Sequence, residues 1–220
     1  MTEAGTLVLV RHGQSAANAA GIFTGMLDVP LTELGREEAT RAAELLNEAR
    51  LWPEVCLSSP LRRAQETTAI LRERLHRPPT TVETDWRLSE RHYGALTGRS
   101  KTGVLQQYGQ AQFQAWRRSV DSAPPPMTPD QHGTLSAPFL EAGLGNTESL
   151  RDVIARVDAC YQELIEPVLR SGWDVLVVAH GNSLRAMCTI LDQLDDAEAE
   201  ALNLPTGTRW CTGSTQMARY

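Results

Sequence analysis

The chain has 220 residues, a formal net charge of -6 at neutral pH, 41% hydrophobic and 22% charged residues. That length buries one substantial core, the acidic balance argues against nucleic acid as a partner, and no apolar run is long enough to span a membrane. The first five residues carry no basic stretch followed by a long apolar one, so a cytoplasmic protein without a secretory signal is expected, and Cys56, Cys160, Cys188 and Cys211 lack the paired spacing of a zinc site and read as reduced core residues.

Leu7-Val8-Leu9-Val10 is an uninterrupted apolar run, which predicts a strand buried on both faces of a sheet between helices. It leads into Arg11-His12-Gly13-Gln14-Ser15. Ligands of open α/β sheets bind at the carboxyl edge of the strands, where Arg11 and His12 would stand. Gly13 lets backbone N–H groups approach an anion, and Arg11 offers two parallel hydrogen bonds to phosphate oxygens. A lone histidine capping a strand is the bland alternative, so the rest of the chain has to decide. After a glycine-punctuated loop at 21–25, Thr32 is an N-cap candidate. Ala39, Ala42, Ala43, Leu45, Leu46 and Ala49 recur at helical spacing and predict a helix over 33–50, ending before Pro53. Residues 55–57 form a second strand, and Ser58-Ser59-Pro60 opens a helix running to about Leu75. Strand, loop and helix have then occurred twice, the pattern of parallel strands with crossover helices.

Residues 80–83 predict a third strand, and 86–94 are polar and aromatic without a clean period, as in a loop at a sheet edge. Two helical patterns follow at 101–108 and 110–120, the second carrying Trp116-Arg117-Arg118. Residues 123–146 are rich in Pro and Gly and too irregular for a core element, as in a lid or binding loop. A long helix opens at Thr147-Glu148-Ser149-Leu150 and runs to about Arg170. Residues 174–179 are the clearest buried strand, and they end in His180-Gly181-Asn182-Ser183, repeating the opening order of strand, His, Gly and helix start. The expected fold is α/β, with three α/β/α layers and a mostly parallel central sheet. One domain is expected over 1–220, with a helical and loop insertion at about 86–146 over the active site.

Two strands ending in His-Gly put His12 and His180 within reach of each other at one sheet edge, with Arg11 and Arg63 beside them. This is the outline of a phosphoryl-transfer site, because guanidinium, imidazole and helix N-terminal N–H groups stabilise the charge on equatorial phosphoryl oxygens. Arginines near His12 disfavour the imidazolium and keep a nucleophilic nitrogen free. Glu90 is the best placed proton carrier, with a pKa expected to rise when a phosphate dianion binds. No closely spaced carboxylates suggest a Mg²⁺ site, so metal independence is expected.

These residues resemble the cofactor-dependent phosphoglycerate mutases of the histidine phosphatase superfamily. The resemblance runs in blocks from Leu7 to Gly207: 7–18, Phe23-Thr24-Gly25, 31–39, Glu90-Arg91-His92-Tyr93-Gly94-Ala95-Leu96-Thr97-Gly98, Trp116-Arg117-Arg118, 124–127, Thr147-Glu148-Ser149-Leu150, 179–185 and 202–207. Arg-His-Gly alone marks the superfamily, whereas the Glu-Arg-His-Tyr-Gly block, the Trp-Arg-Arg block and the proline cluster favour the mutase branch. The resemblance implies that His12 is phosphorylated, that Arg11, Asn18, Arg63 and His180 grip the transferring group, and that Glu90 is the acid and base. It implies that Arg91, Tyr93, Lys101, Arg117 and Arg118 hold the carboxylate and second phosphate of the substrate. Thr24, Gly25, Gly181 and Asn182 match ligand contacts, and Arg62 is expected to face solvent.

The implied activity interconverts 3- and 2-phosphoglycerate, primed by 2,3-bisphosphoglycerate, with a small anionic phosphate ester as the partner and a homo-oligomer left open. A phosphatase of small phosphate monoesters shares His12 and is the alternative; a non-catalytic binding protein is disfavoured because no catalytic position is missing. Family members commonly have an aromatic where Ala17 stands and an arginine where Ile22 stands, and the segment between Met127 and Thr147 is shorter here, without their run of charged residues. A closing strand is expected at 208–212. With only 13 residues from Thr208 to Tyr220, little is left to cover the site, and loop 123–146 is expected to carry most of the lid function.

Overall fold

The computed structural model describes residues 4–133, 135, 137–205, 209–213 and 216–219. In chain order the elements are β1 (Leu7–Arg11), α1 (Ala16–Ala19), α2 (Glu33–Glu48), β2 (Val55–Ser58), α3 (Arg62–Arg74), β3 (Thr81–Thr84), α4 (Lys101–Arg118), α5 (Pro129–His132), α6 (Ala137–Glu141), α7 (Leu150–Cys160), α8 (Glu166–Arg170), β4 (Val175–Ala179), α9 (Gly181–Asp192), α10 (Asp196–Ala201), β5 (Arg209–Gly213) and β6 (Gln216–Arg219). The strands form one sheet in the order β3-β2-β4-β1-β5-β6. The first four are parallel, and β5 and β6 add antiparallel at the far edge.

The alternation of side chains along each strand produces the three layers. Leu7 and Leu9 of β1, Leu57 of β2 and Val175, Val177 and Ala179 of β4 point to one face, where they pack with Val153 and Val157 of α7 and Leu184 and Met187 of α9. Val8 and Val10, Cys56, Leu176 and Val178 point to the other, against Ala42 and Leu46 of α2 and Ala64 and Leu71 of α3. Both faces of β1 and β4 are therefore dry, which is why these strands read as continuous apolar runs. Pairing of Arg11 with Ala179 brings the carboxyl ends of β1 and β4 level, and the ladder continues one step through a bond from His12 N–H to the Ala179 carbonyl at 3.0 Å.

Helix α2 starts where Thr32 predicts, with Thr32 capping Gly35 N–H at 3.1 Å, whereas α3 starts at Arg62 behind Leu61, so Pro60 precedes the helix instead of standing in its first turn. The loop after β1 meets the first turn of α2 backbone to backbone: a Cβ on Gly13 would lie 2.0 Å from the Gly35 carbonyl oxygen. The two helical patterns at 101–120 join into α4, broken at Gly109, whose φ of 78° is open to glycine and not to an ordinary side chain. The long helix expected to reach Arg170 is interrupted. Pro167 has no N–H and its ring crowds the carbonyl four residues back, so the register widens to a π-helical turn at Tyr161–Ile165 before α8.

Two expectations are corrected. Residues 123–146 are not too irregular for the core, because Phe139 and Leu144 are buried with Met26 and Leu61 in a cluster of their own. The chain also supplies two strands after Gly207, not one. The expected strand at 208–212 is β5, Thr208 lying outside the described residues, and β6 extends the sheet by one strand that the polar sequence Gln216-Met217-Ala218-Arg219 did not announce.

Candidate active site

At the carboxyl edge of β1 and β4 the His12 and His180 rings lie 4.8 Å apart between centroids and tilted by 57°. His12 Nδ1 lies 2.6 Å from the carbonyl oxygen of Gly13. A carbonyl only accepts, so Nδ1 carries the hydrogen and Nε2 holds the lone pair. Burial, reinforced by the charges of Arg63 and Arg11, holds the His12 imidazole well below its usual pKa, so it is neutral and nucleophilic at physiological pH. The arginines are thus the second cause of the shift, behind burial. His180 is held down in the same way by burial, Arg63 and His12. Both of its ring nitrogens are buried without a hydrogen-bond partner among the described residues, as is Nε of Arg11. Two of these atoms, Arg11 Nε and the protonated nitrogen of the neutral His180 ring, are donors and call for a ligand with acceptor oxygens.

Glu90 faces this pair. Its burial favours the protonated acid, but hydrogen bonds from Arg91 N–H and the Asn182 side chain, with the charges of Arg63 and Arg11, outweigh that and leave its pKa below the usual carboxylate range. Arg156 and Glu148, a buried ion pair with Nε to Oε1 at 2.7 Å, hold the loop that carries it. Arg156 donates to the carbonyls of Arg87, Ser89 and Glu90, and Glu148 accepts from His92 N–H at 2.8 Å.

Above the histidines is a pocket walled by Arg11, Asn18, Thr24, Glu90, Tyr93, Lys101, Arg117, Arg118, Gly181 and Asn182, all singled out in the sequence. Asn18 Oδ1 accepts from Ser15 N–H and Ser15 Oγ, so its amide Nδ2 is the end left for a ligand. Lys101 and Arg118 are both made less basic, chiefly by burial and then by neighbouring cations, and an arriving anion relieves that repulsion.

The buried His12 and His180 rings do not themselves line this wall, and three further predicted residues lie outside it. Arg63 is buried beneath it, donates to the carbonyls of Gly25 and Leu27 at 3.0 and 2.8 Å, and acts on both histidines through its charge. Gly25 meets the site through that bond and through close packing on the main chain of Arg91 and Tyr93, a Cβ there lying 3.4 Å from Tyr93 N. Arg91 is fully buried behind Tyr93, its guanidinium 4.7 Å from the ring and donating to the Trp116 carbonyl. Arg62, by contrast, is exposed and paired with Glu66, as expected.

Sequence reasoning gave no role to five residues that do line the pocket: Ile22, Phe23, Arg185, Asn203 and Leu204. Arg185 had a signal, since it follows Asn182 by three residues and shares its helix face. Leu204 contributes a main-chain carbonyl, which accepts from Arg11 Nη1, and residue type does not reveal such a role. Ile22 also faces the pocket, and so puts an apolar side chain into a wall otherwise rich in cations.

A mostly parallel sheet between two helical layers, with a buried neutral histidine at paired His-Gly strand ends, is the setting in which the family is met, and the chain belongs to the histidine phosphatase superfamily (branch 1), whose family profile matches residues 7–212. It is 47% identical over 206 residues to a 2,3-bisphosphoglycerate-dependent phosphoglycerate mutase of Nocardioides sp., covering 92% of this chain and 83% of that one. A Mycobacterium bovis protein of the same name is 46% identical over 210 residues, covering 94% and 84%. Among solved structures, a mycobacterial glucosyl-3-phosphoglycerate phosphatase superposes with a TM-score of 0.74 at 33% identity, covering 94% of this chain and 92% of that one.

Proposed function

We propose that the protein interconverts 3-phosphoglycerate and 2-phosphoglycerate through a phosphohistidine on His12, primed by 2,3-bisphosphoglycerate. The observation that carries this is the histidine pair: a neutral imidazole with its Nε2 lone pair free, 4.8 Å from a second imidazole with both nitrogens unpartnered, beneath a pocket lined by five cations and a single carboxylate. The five cations suit a ligand with two phosphates and a carboxylate better than they suit a simple monoester. The names of the curated relatives at 45–47% identity support the mutase over the phosphatase.

In this reading His12 Nε2 attacks phosphorus, forming an N–P bond as the ester P–O bond breaks. Arg11, His180 and the N–H groups at the start of α9 stabilise the equatorial oxygens, with Arg63 supplying charge from below. Glu90, ionised in the free site, takes up a proton from solvent as the incoming phosphate dianion raises its pKa, gives that proton to the departing alkoxide and, in the second half, takes one from the hydroxyl that attacks the phosphohistidine. Lys101, Arg117, Arg118 and Tyr93 hold the far phosphate and carboxylate, while Asn18, Thr24, Gly181 and Asn182 orient the ligand; Arg91 and Gly25 act indirectly, through Tyr93 and Arg63. Bound 2,3-bisphosphoglycerate supplies the phosphoryl group that first charges His12. Charge balance comes from side chains in this scheme, with no metal assigned to it. The same reading treats 1–220 as one domain with the segment at about 86–146 inserted beside the site, and places the work in the cytoplasm, where its buried thiols stay reduced.

Hydrolysis of a small phosphate ester is the second reading, favoured by the likeness to the solved phosphatase. Turnover of 3-phosphoglycerate, with and without a trace of 2,3-bisphosphoglycerate, measured beside release of inorganic phosphate separates the two. Isomerisation that depends on the primer and exceeds hydrolysis is expected. Phosphate release without isomerisation makes the protein a phosphatase.

A further inference from the structure

Glu90 is the acid in the reading above, and the inference here rests on that role. Its hydrogen bonds are lopsided. Arg91 N–H at 2.8 Å, Asn182 N–H at 3.3 Å and Asn182 Nδ2 at 2.7 Å all donate to Oε1, and no described residue donates to Oε2. An oxygen facing three donors is a poor seat for a proton, so the transferable proton belongs on Oε2.

That asymmetry depends on which way the Asn182 amide faces. While Glu90 is ionised, the carboxylate itself draws the NH2 end. Once it is protonated, a neutral carboxyl meets either end of an amide equally well, and a turned amide would pull the proton onto Oε1. Arg185 blocks the turn. Its Nη1 donates to Asn182 Oδ1 at 2.9 Å, and a guanidinium only donates, so the turned amide would set NH2 against N–H. Arg185 is itself anchored, with Nε and Nη2 donating to the Leu202 carbonyl at 3.1 and 2.9 Å and the residue 6% exposed. Tyr93 Oη, 3.0 Å from Asn182 Nδ2, accepts or donates and does not discriminate.

We propose that Arg185 is a positioning residue: it locks the Asn182 amide so that three donors stay on Glu90 Oε1, and thereby assigns the proton that moves during catalysis to Oε2. A fork that bridges Asn182 and the Leu202 carbonyl is needed for this, which a lysine ammonium on a flexible stem does not supply.

The test follows the Glu90 carboxyl carbon by NMR in protein carrying 13C-glutamate, for wild type, Arg185→Met, Asn182→Ala and the double variant. Arg11 from β1, Arg63 from α3 and Lys101 from α4 face Glu90 and are common to all four, as is Tyr93 on Asn182 Nδ2. Arg185 from α9 also acts on Glu90 directly through its charge, and the double variant separates that direct effect from the one carried by Asn182. Each single variant is expected to raise the Glu90 midpoint by roughly one pH unit, the worth of one charge-assisted hydrogen bond. Because Arg185 acts through Asn182, the double variant should rise no further than Asn182→Ala by more than a few tenths. Additive shifts would mean that Arg185 acts by charge alone, and would overturn the proposal. Turnover gives a second readout: kcat should fall with KM little changed, whereas a loss confined to KM makes Arg185 a ligand contact instead. If Arg185→Met does not fold, 15N-labelled wild type decides, since the Asn182 Nδ2 protons should keep hydrogen-bonded shifts on both sides of the Glu90 titration, and their averaging upon protonation contradicts the lock. Full activity of Glu90→Gln would defeat the acid assignment while leaving these titrations to judge the lock itself.

Discussion

At the scale of the residue, burial decides the chemistry of His12. An exposed imidazole would be half charged at about pH 6.5 and keep some charge at neutrality; a buried one with Nδ1 donating to the Gly13 carbonyl is neutral and in one tautomer, with its Nε2 lone pair free. The same burial has a thermodynamic consequence. Unfolded His12 and His180 take up protons below about pH 6.5, whereas the folded imidazoles do not until a far lower pH. The unfolded state therefore binds more protons, and stability is full above that value and is lost as pH falls through it, by at most about 1.4 kcal/mol per pH unit for each imidazole. Urea unfolding at pH 7.5 and 5.5 should show the loss, and His180→Gln should remove part of its slope, the remainder coming from His12 and from His92, which burial also holds below its usual value. A stability unchanged between those pH values contradicts the burial argument. Arg11, His12 and His180 were legible because apolar runs pointed to them, and Arg185 was not, because its contribution is a bond to another side chain and not a motif of its own.

At the scale of the element, strands β1, β2 and β4 were legible from their apolar runs, and two helix starts from Thr32, whose side chain does cap α2, and from the stretch 147–150, within which Ser149 caps α7. What was hidden is the way the loop with Glu90 is held. Glu148 reads as part of a helix opening and Arg156 as an ordinary helical arginine, yet together they fix four main-chain groups between residues 87 and 92. Removing one partner strands the other as a buried charge, so Arg156→Met is expected to cost roughly 3–5 kcal/mol. The amides of Arg91 and His92 should lose hydrogen-exchange protection at the same time. A cost under about 1 kcal/mol would show that the loop is held by its other contacts. The π-helical turn before α8 was hidden for a different reason: periodicity registers an apolar stripe and is insensitive to one carbonyl left without a partner.

At the scale of the whole molecule, the pattern of strands and crossover helices gave the layer order, while the polar edge strand β6 carried too little apolar signal to be placed. The role expected of loop 123–146 also changes. None of its described residues lines the pocket; Pro125 accepts from Ala95 N–H at 2.7 Å, the His132 ring stacks 6.5 Å from His92, and Phe139 and Leu144 fill a small core. In this structure the loop buttresses the outer side of the Glu90 segment, and cover next to the pocket comes from residues 202–204, which the side chains of Arg11, Arg118 and Arg185 hold by their carbonyls. These parts support the proposal that the molecule carries a phosphoryl group on His12 between two ends of a phosphoglycerate. The most direct measurement is 31P NMR of the protein after incubation with 2,3-bisphosphoglycerate, followed by a chase with unlabelled 3-phosphoglycerate. A phosphohistidine signal absent from His12→Ala, and discharged to the chase faster than to water, is the expected result. Phosphorylation elsewhere, or turnover by His12→Ala above about a tenth of wild type, would contradict it.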